Sequence, residues 1–292
     1  MLQELIDRTL VHKDSSAAVL LTSAVREEPG HWFFGVSLPR DHSTSSQSSS
    51  GIATILGTEL MRQTALAFAH LDGGVPLGSS FLLHEISFSW NHDPALLPGH
   101  PMLEAVLEVH AHQAKMRKGL LSDLQLWGSL TSDGVLLGTG YGDLSCLSPA
   151  LYKAIRRNAP PVEPVNTGAV GTVLDGVRNN GSSLEAALVW NWQDPFLFDH
   201  FSDHLPGMLL GQAVVDAHRI LTGTEALQLH LRCGTFGEFN APATVAAEIT
   251  TGNHTRTTIT QPGRSLATGL CSSGFTKGIR DIGPPQFQRQ LS

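Results

Sequence analysis

Hydrophobic and polar positions alternate along much of this chain, and twice the alternation gives way to one long apolar stripe. Residues 18–25 and 32–38 read as short strands joined through a Pro29-Gly30 turn. A serine-rich stretch from Ser43 to Ser50 follows, which reads as a flexible loop, and then a helical pattern from about Gly51 to Leu71. Ile52, Ile55, Leu56, Leu66 and Ala67 share a stripe at 3.6-residue spacing, and Ala53, Leu60, Ala65 and Phe68 cover much of the rest. A helix apolar nearly all round is a buried one. Extended segments are expected at 81–90, 102–112, 120–131 and 135–147, where Leu103, Ala105, Leu107 and Val109 keep a period of two.

Residues 148–183 change character. Pro149, Pro160, Pro161, Pro164 and a scatter of Gly and Asn read as a linker with little regular structure. The first pattern then returns: a strand at 184–192, a buried helix at 206–222, and strands near 227–236, 244–251, 255–261 and 264–276. Leu136-Leu-Gly-Thr-Gly140 reappears as Ser265-Leu-Ala-Thr-Gly269. One unit used twice, over 1–147 and 184–292, is the simplest account. A strand, one long helix and then consecutive strands is an α+β arrangement, not a βαβ alternation.

Composition narrows the function. A chain of 292 residues can bury two cores, and 41% hydrophobic against 15% charged residues indicates a globular protein. A net charge of −7 argues against a nucleic-acid surface. Arginine outnumbers lysine 14 to five, which suits bidentate phosphate binding but which codon usage alone can produce. Cys146, Cys233 and Cys271 fit no metal spacing and are odd in number, so a reduced cytoplasm is expected. Charged residues at Glu4, Asp7, Arg8 and Lys13, in what reads as a first helical stretch, exclude a signal peptide, and no apolar run is long enough to span a membrane.

The most informative segment is Phe198-Asp-His-Phe-Ser-Asp-His-Leu-Pro-Gly-Met-Leu-Leu210. Two Asp-His pairs lead into a helix start, where Pro206 lacks the N–H that the first turn leaves unpaired and Gly207 lets a ligand approach the backbone. The amides beyond, Met208 included, can hold a carbonyl oxygen or an anion. This segment resembles the Phe-Asp-His-x-x-Asp-His-x-Pro-Gly-Met signature of the A-factor biosynthesis (AfsA) family. Val11-His12-Lys13, Pro39-Arg40-Asp41-His42, Glu59-Leu-Met-Arg-Gln63, Ala69-His70 and Val75-Pro-Leu-Gly78 are similar to other motifs of that family, from about residue 10 to about residue 275.

The resemblance implies a tandem hot-dog fold, each unit a curved antiparallel sheet wrapped around its helix, and the two units packed as an intramolecular pseudo-dimer that can serve as a monomer. It implies acyl transfer from an acyl-carrier-protein β-ketoacyl thioester to a hydroxyl of dihydroxyacetone phosphate, with no cofactor. A dehydratase or thioesterase on carrier-bound chains, or a non-catalytic acyl-binding module, are the alternatives. Active sites are then expected at the unit interface, one pairing the His42 loop with Gln212 and the other the Asp199–His204 loop with Glu59.

Glu59 lies in phase with the apolar stripe, where a carboxylate is costly unless partnered; either it pairs with Arg62 three residues on, or it serves catalysis. The expectation is a base whose charged form is disfavoured by burial. Gln212 holds the corresponding place in the second helix but cannot accept a proton, and Val215 replaces the arginine expected there. The catalytic set is therefore Glu59, His204 and Asp203, with Gln212 orienting a carbonyl. Arg40, His42, Arg62, His200, Gly207 and Met208 are expected to bind substrate. His200 and His204 read as hydrogen-bonding rather than zinc-binding, His110 and His112 as a surface or half-buried pair, and Arg156 and Arg157 as surface residues that could meet phosphate.

Overall fold

A computed structural model describes residues 3–40, 52–97 and 101–274. The strands are β1 (Gln3–Leu5), β2 (Leu21–Glu28), β3 (His31–Pro39), β4 (Ser80–Trp90), β5 (Met102–Arg117), β6 (Leu120–Ser132), β7 (Val135–Leu147), β8 (Leu174–Asn179), β9 (Ser183–Leu188), β10 (Gln228–Cys233), β11 (Ala243–Ile249), β12 (His254–Gln261) and β13 (Arg264–Ser272). The helices are α1 (Thr54–Leu71), α2 (Pro149–Ile155) and α3 (Gly207–Thr222).

All thirteen strands join one antiparallel sheet in the order β1-β2-β3-β5-β6-β7-β4-β10-β13-β12-β11-β9-β8. The strand that follows each central helix, β4 or β10, lies at the inner edge of its unit. The two pair across the middle, Leu229 with Phe88 and Leu231 with Ile86. The rest of each unit fans outward in the same sequence, so the sheet is one six-strand order used twice back to back, with β1 added at the outer edge of the first. On β3 the alternation is strict: Trp32, Phe34, Val36 and Leu38 are buried while His31 and Phe33 face outward.

α1 and α3 lie in contact with each other and with the strands of the sheet. Only Arg62, His70 and Leu71 of α1 escape full burial, as its all-round apolar pattern requires. The repeated Thr-Gly landmark has a packing cause. A Cβ on Gly140 would stand 2.4 Å from Met61 Cγ, and one on Gly269 would stand 2.5 Å from Val214 Cγ1. Glycine on β7 and on β13 therefore lets each helix seat directly on its sheet. α3 closes on Gly223, left-handed at φ +68°.

Two expectations fail. The stretch 148–183 is not plain linker, for α2 and β8 fall within it. α2 is short and stabilised by contacts distant in sequence, while β8 is an edge strand on β9 with an exposed pattern, so neither leaves a periodic trace. The N-terminal residues form β1 and a 3-10 turn at Arg8–Val11 instead of an opening helix, because β1 is recruited by β2. His42 and the Ser43–Ser50 stretch lie outside the described residues. Among the described residues no helix is long and apolar enough to cross a membrane.

Candidate active site

A cavity of about 530 Å³ opens where the two units meet. Its floor is apolar, with Ala65 and Leu66 of α1, Ile86 of β4, Leu144 of β7 and Leu210 of α3. Its polar wall comes from His12 and Lys13 just after the 3-10 turn, from α1, from α2 and from the 198–207 loop.

The loop's two aspartates have separate tasks. Asp199 accepts the backbone N–H of Asp14 at 2.6 Å and of Ser15 at 3.2 Å, which fastens the second unit's loop to the first unit. Asp203 accepts from His204 Nδ1 at 2.7 Å. With Nδ1 donating, Nε2 keeps its lone pair and makes no hydrogen bond among the described residues. Tyr152 Oη donates to the same Asp203 oxygen, and Arg156 Nε to the other at 3.2 Å. Burial opposes ionisation of Asp203, but His204, Tyr152 and Arg156 together hold its carboxyl well below the usual range. Arg156 is in turn locked to Glu238 by bonds of 2.6 and 2.9 Å and lies over the Phe236 ring, whose edge abuts His204. Arg156 is therefore a buried clamp, not a surface phosphate ligand.

Beyond the loop, Pro206 sits one place earlier than the helix it introduces, at ψ 145°, and no side chain caps the start of α3. The amides of Gly207 and Met208 therefore open the helix beside the cavity that both residues line.

Opposite stands a charge cluster. Glu59 is 1% exposed and receives Arg62 bidentately at 2.7 and 2.8 Å, Gln63 Nε2 at 2.9 Å and Lys13 Nζ at 3.3 Å. Burial pushes its carboxyl upward, but Arg62 and Lys13 outweigh burial and bring its pKa down to about 2. The expected burial-raised base is thus corrected: in this arrangement Glu59 is a fixed anion that holds two cations. Arg62 spends Nε and Nη2 on Glu59 and on the Val11 carbonyl, which leaves Nη1 without a partner among the described residues. His200 is lowered first by burial and then by the nearby Arg62 and Lys13.

His12 turns into the cavity through a left-handed backbone, φ +54°, an uncommon conformation for histidine. His70 donates Nδ1–H to the Val75 carbonyl at 2.7 Å, so its Nε2 is an acceptor. That Nε2 stands 3.1 Å from His12 Nε2, which must then carry the proton and leave Nδ1 bare. Burial, then His70, Arg62 and His200, lower His12 to about 4, so it is neutral near pH 7.

The cavity thus gathers Glu59, Arg62, His200, Asp203, His204, Gly207 and Met208. It does not gather Arg40 or Gln212. Arg40 bonds the Pro94 carbonyl at the end of β3, and Gln212 bonds Asp216 at 3.2 Å along α3, with its Oε1 buried and unpaired. The pairing of the His42 loop with Gln212 falls outside the described residues on the His42 side. Among the described residues the side chains spaced to share a metal ion are His31, Glu108 and His110, on the outer face of the sheet, and not His200 or His204. Lys13, His12, His70 and Tyr152 become functional candidates only in the structure. The Val-His-Lys and Ala-His motifs pointed to three of them, whereas Tyr152 sat in a stretch with no periodic signal.

The A-factor biosynthesis hotdog domain matches residues 2–148, half of the chain. The chain belongs to the A-factor biosynthesis hotdog family. Within it, a 2-oxo-3-(phosphooxy)propyl 3-oxoalkanoate synthase from Streptomyces virginiae is 26% identical over 259 residues, 83% of this chain and 87% of the relative. The synthase of the same name from Streptomyces griseus is 27% identical over 74% of this chain and 76% of its own. Among solved structures, an acyl-ACP thioesterase from Bacteroides thetaiotaomicron superposes at a TM-score of 0.54 with 9% identity, over 82% of this chain and 97% of that one. The 12:0-ACP thioesterase from Umbellularia californica gives 0.51 and 9%, over 82% and 96%. At such identities these structures establish the shared hot-dog fold alone. The family fits the α+β tandem arrangement and an enzymatic role.

Proposed function

We propose that this protein transfers a β-ketoacyl group from a carrier thioester to a hydroxyl of dihydroxyacetone phosphate, forming a phosphorylated ester. The relatives' name describes the product of such a step. One observation carries the reading: a single apolar-floored cavity holds the Asp203–His204 pair, the uncapped start of α3 and the Arg62–Lys13 cations. A thioesterase or a dehydratase needs no cation pair for a phosphate.

His204 Nε2 removes the hydroxyl proton while Asp203 fixes the tautomer and balances the imidazolium. The oxygen attacks the thioester carbonyl, and the amides of Gly207 and Met208 receive the resulting oxyanion. The intermediate collapses, the thiolate leaves, and His204 returns the proton to sulfur. Arg62, with Nη1 unspent, Lys13 and His200 bind the phosphate. The choice of base follows from magnitudes. Glu59 at about 2 and His12 at about 4 are weak proton acceptors near pH 7, whereas His204 presents a free Nε2 whose tautomer Asp203 fixes. Glu59 positions the cations, and His12 offers Nδ1 as an acceptor to a substrate hydroxyl.

The test is to incubate the protein with a β-ketoacyl carrier thioester and dihydroxyacetone phosphate and to analyse the products by mass spectrometry. The phosphorylated ester is expected. Free acid would replace this reading with a thioesterase, an enoyl thioester with a dehydratase, and unchanged substrate with a binding module.

A further inference from the structure

α2 has three distinct faces although it spans only Pro149–Ile155. Tyr152 and Arg156, four residues apart, face inward and hold Asp203 and Glu238. Leu151 and Ile155, also four apart, are left 43% and 46% exposed. Lys153 and Arg157 repeat the spacing into the turn beyond the helix; both are exposed, and neither has an ion-pair partner among the described residues. Phe201, 67% exposed, stands at the cavity lining two residues before Asp203.

Apolar side chains exposed singly are ordinary. Here two of them, Leu151 and Ile155, share one short helix and the turn beyond it with two unpaired cations, on a chain whose net charge is −7. Tyr152 of that helix lines the cavity along with the third, Phe201. The patch is also rigid, because Arg156 ties α2 to the loop that carries His204. A second copy of this chain is a poor occupant, since a two-fold contact would set Lys153 and Arg157 against themselves. An acidic surface with an apolar centre, delivering a thioester on a flexible arm, matches in charge, in polarity and in position.

We propose that the outer faces of α2, together with Phe201, are the docking surface for the acyl carrier, an acidic protein bearing the β-ketoacyl thioester. This rests on the acyl-transfer reading above. The small patch suits a transient encounter whose rate is set by charge. In such an encounter Lys153 and Arg157 steer the carrier, while Leu151, Ile155 and Phe201 supply the contact that holds it during transfer.

The experiment compares two donors of the same acyl group, the carrier thioester and the pantetheine thioester, in the wild type and in K153E/R157E. The expected result is a fall of about tenfold or more in kcat/KM with the carrier, through KM, and a change within about twofold with pantetheine. Added salt should slow the wild type with the carrier and leave the variant nearly indifferent. Equal losses with both donors, or no loss with either, would overturn the surface. Should the wild type form no ester from either donor, the acyl-transfer reading itself fails. Titration of carrier-bound thioester against both proteins then decides the surface separately, weaker binding by K153E/R157E supporting it and equal binding rejecting it.

Discussion

α1 and α3 are the same helix used twice, and they differ where chemistry would occur. Met61 against Gly140 and Val214 against Gly269 set the two in register. Glu59 then matches Gln212, Arg62 matches Val215, and Gln63 matches Asp216. On α1 a buried carboxylate meets two cations and an amide, and is ionised with a pKa of about 2. On α3 the carboxylate has moved one turn along, to Asp216. Burial dominates there, Arg219 at 3.2 Å offsets it only in part, and the pKa rises to about 6. Both units keep the packing that the sheet demands, while one has lost the charge arrangement.

The sharpest way to break this comparison is to disable the loop that serves the α1 side. His204→Ala should lower turnover by about 10²–10⁴-fold, the range of a lost general base, with the far-UV spectrum unchanged. Activity surviving within threefold would move the base elsewhere. Next in size is Glu59→Gln. It keeps the shape but leaves the buried Lys13 and the half-buried Arg62 without an anion, which should cost on the order of 3 kcal/mol in urea denaturation, the lower end for broken buried pairs. The depressed pKa fixes the pH window. Glu59 contributes its stabilisation fully above about 4.5 and loses it as pH falls toward 2. The wild type should therefore lose its advantage over Glu59→Gln across that interval, and an advantage that persists to pH 2 would reject the ion-pair account.

Asp216 should behave in the opposite sense. Its folded pKa is raised, so the native state binds the extra proton and stability falls as pH climbs from about 4 to about 6. Asp216→Asn should match the wild type below pH 4 and exceed it above pH 6 by on the order of 1–3 kcal/mol. A stability gain independent of pH would mean that the aspartate's charge is not the cause.

What could be read from the residues followed from periodicity and local chemistry. The strands of both units, the two buried helices, the Asp-His loop and the i+3 pairing of Arg62 with Glu59 all announce themselves within a short window. β8, α2 and the state of Glu59 do not. Among the strands β8 pairs with β9 alone, and α2 is held through Arg156 and Tyr152 by residues about 50 to 80 positions away. The pKa of Glu59 depends on Arg62 and then on Lys13, which a 3-10 turn and a left-handed His12 deliver from 46 residues upstream. Burial of Glu59 and its pairing with Arg62 were legible; the second cation, Lys13, which helps to reverse the effect of burial, was not.

The smallest effect expected is at Gln212, and it tests whether the α3 side retains any catalytic part. Its Nε2 bonds Asp216 at a long 3.2 Å, and its Oε1 is buried without a partner. An unsatisfied buried acceptor costs about 1–3 kcal/mol, more than one long amide bond returns. Gln212→Met removes the acceptor and keeps the volume, so stability should change by less than about 1 kcal/mol, with the sign toward stabilisation. Because Gln212 does not line the cavity, ester formation should proceed at the wild-type rate. A tenfold fall in kcat with stability unchanged would show that α3 acts on the substrate after all. The two helices would then be unequal partners in one reaction, and the second would no longer be a remnant.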